Sequence, residues 1–268
     1  MKATASRYIR IYLIRMRASV MTRMAYPLNF FILAVSVIAQ GLLSIIFIKV
    51  IYKYASNISG WSYDQAMLVL ASFLIVEGLM WTTNAFMAGI RKNVLMGTFD
   101  RFLIQPVNTL FSVSTWRVDP EDLMRLVIAG YIFTITIGNL GLSSAELLAR
   151  GWIYAVLIID GYIVYYSLSL AINSLFFWYA EISSINIMFE NFLRMAQYPT
   201  DILYGNFIKV FFSSIFPIAF VATVPAKALA FGPNYTLLLT ATGVALFFFL
   251  AARSIFRAGL RTYSSASS

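Results

Sequence analysis

The sequence of 268 residues contains neither cysteine nor histidine. A chain without cysteine forms no disulfide, no thiolate metal site and no thiol nucleophile. A chain without histidine lacks Ser-His and Cys-His catalysis, most zinc sites and the usual switch near neutral pH. Carboxylate-only metal sites and a Ser-Lys pair remain open, but no spacing of residues indicates either.

Charged side chains are also scarce, at 12% of residues against roughly a quarter in average soluble domains. Hydrophobic residues make up 60% of the chain, and the mean hydropathy is +0.79. Runs of about 20 apolar residues, the length that crosses a bilayer, occupy nearly all of the sequence. The composition therefore predicts an integral membrane protein with a single membrane domain over residues 1–268.

Six apolar runs have the length of membrane spans. Because lipid offers no partners to backbone N–H and C=O groups, we expect each run to be a helix. The predicted fold is therefore all-α, with six transmembrane helices. Their predicted bounds are residues 28–52, 62–88, 123–142, 152–179, 207–224 and 235–255.

The distribution of lysine and arginine predicts how these spans are oriented. With both termini in the cytoplasm, 16 of the 20 basic residues lie on the inner side and 4 on the outer side, as the positive-inside rule requires. The loop 89–122 is then cytoplasmic. The basic residues lie beside spans and are not clustered on a soluble face, which favours membrane lipids over nucleic acid as their partner.

Residues 1–27 hold a basic amphipathic segment, "SRYIRIYLIRMRASVMTRM". At helical spacing, its apolar side chains share one face and most of its arginines share the other. This pattern predicts an interfacial helix along the inner leaflet. Two interpretations remain open: an anchor that only sets topology, and an elbow helix that transmits force from a cytoplasmic partner.

The cytoplasmic loop 89–122 contains the polar stretch "GTFDRFLIQPVN" at residues 97–108. Its apolar residues fall at helical spacing, and Pro106 should end the helix because the residue before a proline is driven out of the helical region. A short amphipathic helix of this kind can dock in a groove of another protein. A solvated turn is the alternative.

Two carboxylates lie within predicted spans, Glu77 in the second and Asp160 in the fourth. A carboxylate at bilayer depth is unfavourable by roughly 2.5–3.5 kcal/mol, so each should face a cavity or a partner helix. Both are candidates for a translocation path, and helix-helix packing is the alternative. No intramembrane lysine or arginine partner is evident from the sequence.

The last outer region contains Pro217, Pro225 and Pro233, with Lys227 among them. Several prolines this close together predict a broken helix that turns back near the outer surface.

Several motifs, in this order along the chain, resemble the permease subunits of ABC exporters of the type 2 class, in particular the bacterial subgroup of uncharacterised ABC transport permeases. They are the basic N-terminal helix, "ISGWSYDQAMLVLASFLIVEGL", "GTFDRFLIQPVN", "RVDPEDL" and "FPIAFVATVPAKAL". The resemblance implies six spans with an N-terminal elbow helix, a coupling helix between spans 2 and 3, and a re-entrant or extracellular hairpin between spans 5 and 6.

The resemblance also implies roles for individual residues. Residues 96–108 would lie in or beside a coupling segment that seats on a separate ATPase, and Asp100 and Arg101 would supply charged contacts or cap the segment. The apolar anchors would be Phe99, Phe102 and Leu103, and Pro106 would close this coupling segment. The outer hairpin would contain Pro217, Pro225 and Lys227.

The function implied is that of a permease subunit in an ATP-driven exporter of the bacterial inner membrane, paired with a second, identical or different, permease. The sequence lacks the G-x-x-x-x-G-K-[ST] motif that cradles ATP phosphates, so we expect no cofactor in this chain, with ATP and magnesium bound by partner ATPase subunits. One alternative is an ion-coupled carrier that uses Glu77 or Asp160. Another is a membrane enzyme with a metal ion between Asp119, Glu121 and Asp122.

Overall fold

The computed structural model describes residues 5–85, 87–179, 183–202 and 211–263, and the regular elements in these ranges are helical. The α-helices are α1 Ala5–Met24, α2 Pro27–Tyr54, α3 Tyr63–Asn84, α4 Met87–Leu95, α5 Asp100–Leu103, α6 Thr109–Ser114, α7 Leu123–Asn139, α8 Ser144–Ser174, α9 Ser183–Arg194, α10 Thr223–Ala230 and α11 Tyr235–Thr262. Short 3₁₀ turns lie at Pro120–Asp122, Leu175–Phe177, Met195–Gln197, Thr200–Ile202 and Ile218–Phe220, and a π-helical turn at Phe211–Ile215.

Local sequence signals set the start of the long helices. Ser62 and Gln65 form a capping box at the start of α3, and Ser143 forms the same arrangement with Glu146 at the start of α8. Each box satisfies two backbone groups that a helix end leaves unpaired. The Asn234 side chain caps α11 in a similar way, by accepting a hydrogen bond from a backbone N–H of the first turn.

Within the described ranges, four helical segments are long and apolar enough to cross a membrane: Pro27–Tyr54, Tyr63–Asn84, Ser144–Phe177 and Tyr235–Thr262. They correspond to the first, second, fourth and sixth predicted spans, and α8 begins eight residues before the predicted bound at 152. The structure thus supports an all-α integral membrane protein and gives four candidate spans in the described ranges. The arrangement of six spans stays a prediction.

The third and fifth predicted spans differ from simple helices. Helix α7 has 17 residues, or about 25 Å at 1.5 Å per residue, which is short of a bilayer core of about 30 Å. Residues 207–210 of the predicted fifth span lie outside the described ranges. The described remainder is not one continuous helix, because a π-helical turn, Pro217 and a 3₁₀ turn precede α10.

Helix α3 lies at the centre of the bundle, against α2, α7 and α8, while α8 also packs on α10 and α11. In the 18-residue apolar stretch of each helix, 72% of α3 is buried, compared with 22% of α2 and 17% of α11. Two glycines mark the closest approaches: a Cβ on Gly78 would lie 2.8 Å from a Leu126 methyl of α7, and one on Gly161 would lie 2.8 Å from the Phe220 carbonyl oxygen. Small residues at such points let helices pack closely in a membrane.

Candidate functional site

The coupling segment, residues 96–108, is not one continuous helix. Helix α4 ends at Leu95, and Gly97 follows with a φ of +64°, a conformation that favours glycine. The short helix α5 then ends at Leu103, before Pro106. The end of α5 before Pro106 agrees with the prediction from the sequence that this proline ends the helix. The break at Gly97 was not predicted, and it divides the apolar residues of the segment between two helices.

Phe99 and Phe102 are buried inside the chain, with exposed fractions of 0% and 1%. The Phe99 ring lies 5.1 Å from that of Phe177 and 5.4 Å from that of Tyr263, and the Phe102 ring lies 5.2 Å from that of Trp116, as centroid distances. Both phenylalanines therefore pack against their own chain. Phe99 anchors the coupling segment to the ends of α8 and α11, and Phe102 packs on Trp116, because burying an aromatic ring removes a large apolar area from water.

Leu103 is exposed as expected, and its neighbour Ile104 is more exposed, at 44% and 82%. Leu95 and Met96, before Gly97, are exposed as well, at 46% and 64%. We call these four exposed apolar residues the coupling patch: Leu95, Met96, Leu103 and Ile104. Helical spacing does not distinguish these exposed residues from the buried Phe99 and Phe102, whereas the packing does.

The two charged residues of the segment also contact their own chain. The guanidinium carbon of Arg101 lies 4.2 Å from the ring centroid of Trp116, an attractive cation-π arrangement, and burial lowers the pKa of Arg101. Burial, together with the charge of Asp100, raises the pKa of Tyr263. Pro106 is exposed beyond them.

Helix α1 is tied to this region by Arg15. Its guanidinium donates hydrogen bonds to the Ser112 carbonyl at 2.9 Å, to Thr115 Oγ1 at 2.8 Å and to Gln105 Oε1 at 2.6 Å. The Tyr8 and Phe111 rings pack edge to face nearby, with centroids 4.7 Å apart. The sequence pattern placed Arg15 on the polar face, and the structure shows that this face contacts residues 105–115 of the same chain.

A second tie joins α1 to the turn before α7. Arg23 Nη2 lies 2.5 Å from an Asp119 oxygen and 3.1 Å from a Glu121 oxygen, and Arg117 donates twice to Asp119, at 2.7 and 2.8 Å. Burial disfavours the charge of Arg23, but the carboxylates outweigh burial and raise its pKa. Burial raises the pKa values of Glu121 and Asp122. Arginines therefore neutralise the carboxylates of the proposed metal cluster, and the described ranges contain no group of three or more metal-ligating His, Cys, Asp or Glu side chains.

Glu77 has a basic partner that the sequence did not reveal. Arg125 Nη1 lies 2.6 Å from Glu77 Oε2, and Arg125 Nε lies 2.5 Å from Asp122 Oδ1. A longer contact of 3.4 Å joins Arg125 to Gln40 of α2. Glu77 therefore has the basic partner that was not evident from the sequence. Arg125 stands 48 positions away, at the start of α7, and only helix packing brings the two together.

A polar cavity of about 190 Å³ lies beside this ion pair, between α2, α3, α7 and the turn after α9. Gln197 lines it from that turn and accepts a hydrogen bond from Ser44 of α2 at 2.9 Å. The polar and charged side chains that line it are Gln40, Ser44, Glu77, Arg125, Arg194 and Gln197. Glu77 thus faces a cavity, as expected for a carboxylate at bilayer depth.

Comparison with protein families adds to this geometry. The model of a family described as ABC-2 family transporter protein matches residues 37–267. The chain belongs to this family. It is an ABC type-2 permease, a membrane component of an ABC transporter and a multi-pass membrane protein. No curated protein matches the chain.

The matched region of this ABC-2 permease includes the coupling segment, Glu77 and Asp160. Asp160 is buried between α8 and α11, where it accepts a hydrogen bond from Thr242 at 2.8 Å. This is the geometry of helix-helix packing, the alternative that the sequence left open. The structure does not place Asp160 beside the Glu77–Arg125 cavity.

In the region predicted to be the outer hairpin of the permease, Pro217 lies before a 3₁₀ turn and Pro225 lies within α10. Lys227 Nζ lies 2.8 Å from Asp201 Oδ2, and the buried Trp61 donates to the same oxygen at 3.2 Å. The described residues therefore show the broken backbone that the prolines predicted. They also show a clamp, Lys227–Asp201–Trp61, whose acidic and indole members the sequence did not indicate.

Proposed function

We propose that this permease is one of two membrane subunits of an ATP-driven exporter in the bacterial inner membrane, with both termini in the cytoplasm. Separate ATPase subunits would bind ATP and magnesium and would seat on the coupling patch. The observation that carries the proposal is the contrast within residues 95–104: the four residues of the coupling patch are exposed, while Phe99 and Phe102 are buried inside the chain. An apolar face presented on an anchored support suits docking into a groove of a partner.

The anchoring supports a mechanical role for the segment. Phe99 contacts Phe177 at the end of α8 and Tyr263 at the end of α11, and Phe177 contacts Phe256 of α11 at a centroid distance of 5.8 Å. Packed aromatic residues transmit displacement because interiors compress little. A force applied at the coupling patch would therefore reach two candidate spans directly.

The arginine contacts supply a second connection. Arg15 and Arg23 link α1 to the residues between the coupling segment and α7. Arg125 then links the same turn to Glu77 of α3. This continuity favours the elbow role for α1 over that of a topogenic anchor. In this proposal the cavity beside Glu77 belongs to the translocation path.

The direction of transport and the cargo class follow from the resemblance to type 2 exporters, which implies export of a hydrophobic or amphiphilic molecule. The second permease, identical or different, would cover apolar faces such as those of α2 and α11, which are largely exposed in the single chain. The outer hairpin with Pro217, Pro225 and Lys227 would close the exit path.

The experiment that tests the proposal isolates the tagged chain from its host in mild detergent and identifies stoichiometric partners by mass spectrometry. We expect a P-loop ATPase with the wild type and its loss with Ile104→Asp, because a charge would enter the apolar contact. Leu148→Asp is the matched control, since Leu148 is an exposed apolar residue of α8 outside the patch. An ATPase retained equally by both variants would contradict docking on the patch.

The second candidate is an ion-coupled carrier, and the burial of Glu77 beside a polar cavity favours it. The two functions differ in their energy source. An exporter requires ATP hydrolysis by the partner, whereas the carrier is stopped by a protonophore and by Glu77→Gln. A purified chain that transports in vesicles without any ATPase would establish the carrier and exclude the exporter.

A further inference from the structure

A groove lies between α1, the start of α2 and residues 116–118, with a volume of about 530 Å³. We call it the arginine groove, because three guanidinium groups line it together with hydroxyl and aromatic side chains. Its principal lining residues are Arg15, Ser19, Arg23, Tyr26, Trp116 and Arg117. The proposed exporter function uses this region only as a connection between α1 and α7, so a binding role for the groove is an additional function.

Two of the guanidinium groups are held in place by carboxylates, and some of their donors are unused. Arg117 binds Asp119 through Nε and Nη2, and Arg23 binds Asp119 and Glu121 through Nη2. Within the described ranges, Arg117 Nη1 and Arg23 Nη1 donate no hydrogen bond. The charge of Asp122 also acts on Arg23, but this carboxylate is paired with Arg125. Three arginines thus line the groove against the two carboxylates that bind two of them, and the groove retains a net positive charge.

The position of the groove points to the lipid surface. It lies where α1 meets α2, the first candidate span, and it is on the side that the Lys and Arg distribution predicts to be cytoplasmic. Exposed apolar and aromatic side chains surround this junction: Met24, Tyr26, Leu28 and Phe31. Tyrosine and tryptophan, here Tyr26 and Trp116, are the residues enriched at the depth of lipid headgroups.

We propose that the arginine groove binds the phosphate group of an anionic phospholipid of the inner leaflet. Guanidinium groups match phosphate oxygens with pairs of parallel hydrogen bonds, and basic pockets on the cytoplasmic side of spans suit anionic headgroups. Asp119 is occupied by two arginines, so it does not attract the cation of a zwitterionic headgroup. The bound lipid bridges α1 and residues 116–118 and stabilises their contact.

The test measures lipid retention by native mass spectrometry on the full chain, with any subunits that co-purify. Phosphatidylglycerol and phosphatidylcholine are added at equal concentrations to the wild type, Arg117→Gln and Arg257→Gln. Arg257 is the matched control, an exposed arginine on α11 away from the groove. We expect preferential retention of phosphatidylglycerol, reduced about fivefold by Arg117→Gln, since one basic residue near an anionic surface contributes about 1 kcal/mol. Arg257→Gln retains the wild-type level.

Two further arms separate the sources of the effect. Arg117→Lys keeps the charge and loses the paired geometry, so we expect intermediate retention; this variant also answers the question if Arg117→Gln does not fold.

Glycerol phosphate supplies the phosphate without acyl chains, and we expect it not to displace the lipid. Displacement by glycerol phosphate at the same concentration would reassign the groove to a soluble phosphate ligand. Equal losses with Arg117→Gln and Arg257→Gln would reduce the effect to general charge, and either result overturns the lipid site.

Discussion

The guanidinium of Arg125 lies 2.6 Å from the carboxylate of Glu77, and this contact joins α7 to α3 inside the helix bundle. Both side chains are buried. A buried ion pair is a weak source of net stability, but removing one partner leaves an uncompensated charge in a poorly solvated place. The pair therefore constrains how the helices meet, and it supplies the charged wall of the cavity beside α2.

We predict that Arg125→Met destabilises the chain by about 3–5 kcal/mol, because Glu77 is left buried without its partner. The double variant Glu77→Met/Arg125→Met should recover part of this loss, since only Asp122, the other carboxylate bound by Arg125, then remains without its partner. Thermal unfolding in detergent measures both, with Arg257→Met as an exposed arginine control. A double variant as unstable as Arg125→Met would show that the unpaired charge of Glu77 is not responsible.

Arg15→Ala removes the guanidinium that contacts Gln105, Ser112 and Thr115. We expect α1 to separate from the loop, because each buried polar partner left without a hydrogen bond costs about 1–3 kcal/mol. Hydrogen exchange across residues 5–24 should accelerate at least tenfold, which corresponds to about 1.4 kcal/mol. Arg17→Ala, an exposed arginine on the same helix, is the control. Equal exchange in the two variants would contradict the tie.

The raised pKa of Glu121 leads us to predict that the stability of the fold depends on pH. Burial raises its pKa above the ordinary value of 4.5, and among the described residues its Oε2 atom lacks a hydrogen-bond partner. A carboxyl with a raised pKa in the folded chain stabilises the fold while protonated, and this contribution is lost as the pH rises through the raised pKa. The stability of the wild type relative to Glu121→Gln should therefore fall above pH 4.5.

Unfolding temperatures of the wild type and Glu121→Gln, measured at intervals from pH 4 to pH 7, check this sign. If the unfolding temperature of the wild type instead rose relative to that of Glu121→Gln as the pH increases, the contact of Glu121 with Arg23 would outweigh the burial of the charge.

Gly161→Ala should destabilise the contact of α8 with the turn at residues 218–221. The added Cβ would lie 2.8 Å from the backbone oxygens of Phe220 and Val221, and backbone atoms cannot rotate away as a side chain does. We expect a loss of about 1–3 kcal/mol. Gly243→Ala in α11 is the matched control, because a Cβ there meets nothing within 4 Å. Equal unfolding temperatures for the two variants would contradict this packing.

The sequence predicted local features correctly where neighbouring residues decide them. Four of the six predicted spans correspond to described helices long enough to cross a membrane, and Pro217 marked a real break in the backbone before α10. The motif resemblance to ABC type 2 permeases is confirmed by the family match over residues 37–267. The six-span arrangement, the partner ATPase and the roles of the site residues stay predictions.

The features that the sequence missed depend on which helices meet. Helical spacing put Phe99, Phe102 and Leu103 on one apolar face, and the spacing is the same whether that face meets a partner or its own chain. In the structure, Phe99 is buried against the ends of α8 and α11, Phe102 is buried against Trp116, and Leu103 is exposed. The partner of Glu77 was missed because Arg125 looked like one more basic residue at the edge of a span.

By itself, the sequence determined that the chain is a helical membrane protein without thiol or imidazole chemistry. Hydrophobic length depends on residues that are close to each other along the chain, so the order of residues is sufficient to reveal it. Only the tertiary structure decided that Arg125 neutralises Glu77, that Arg15 holds α1 to the loop, and which apolar residues form the coupling patch. Burial and ion pairing depend on distances between helices that are far apart along the chain, and those distances are set by packing of the whole bundle.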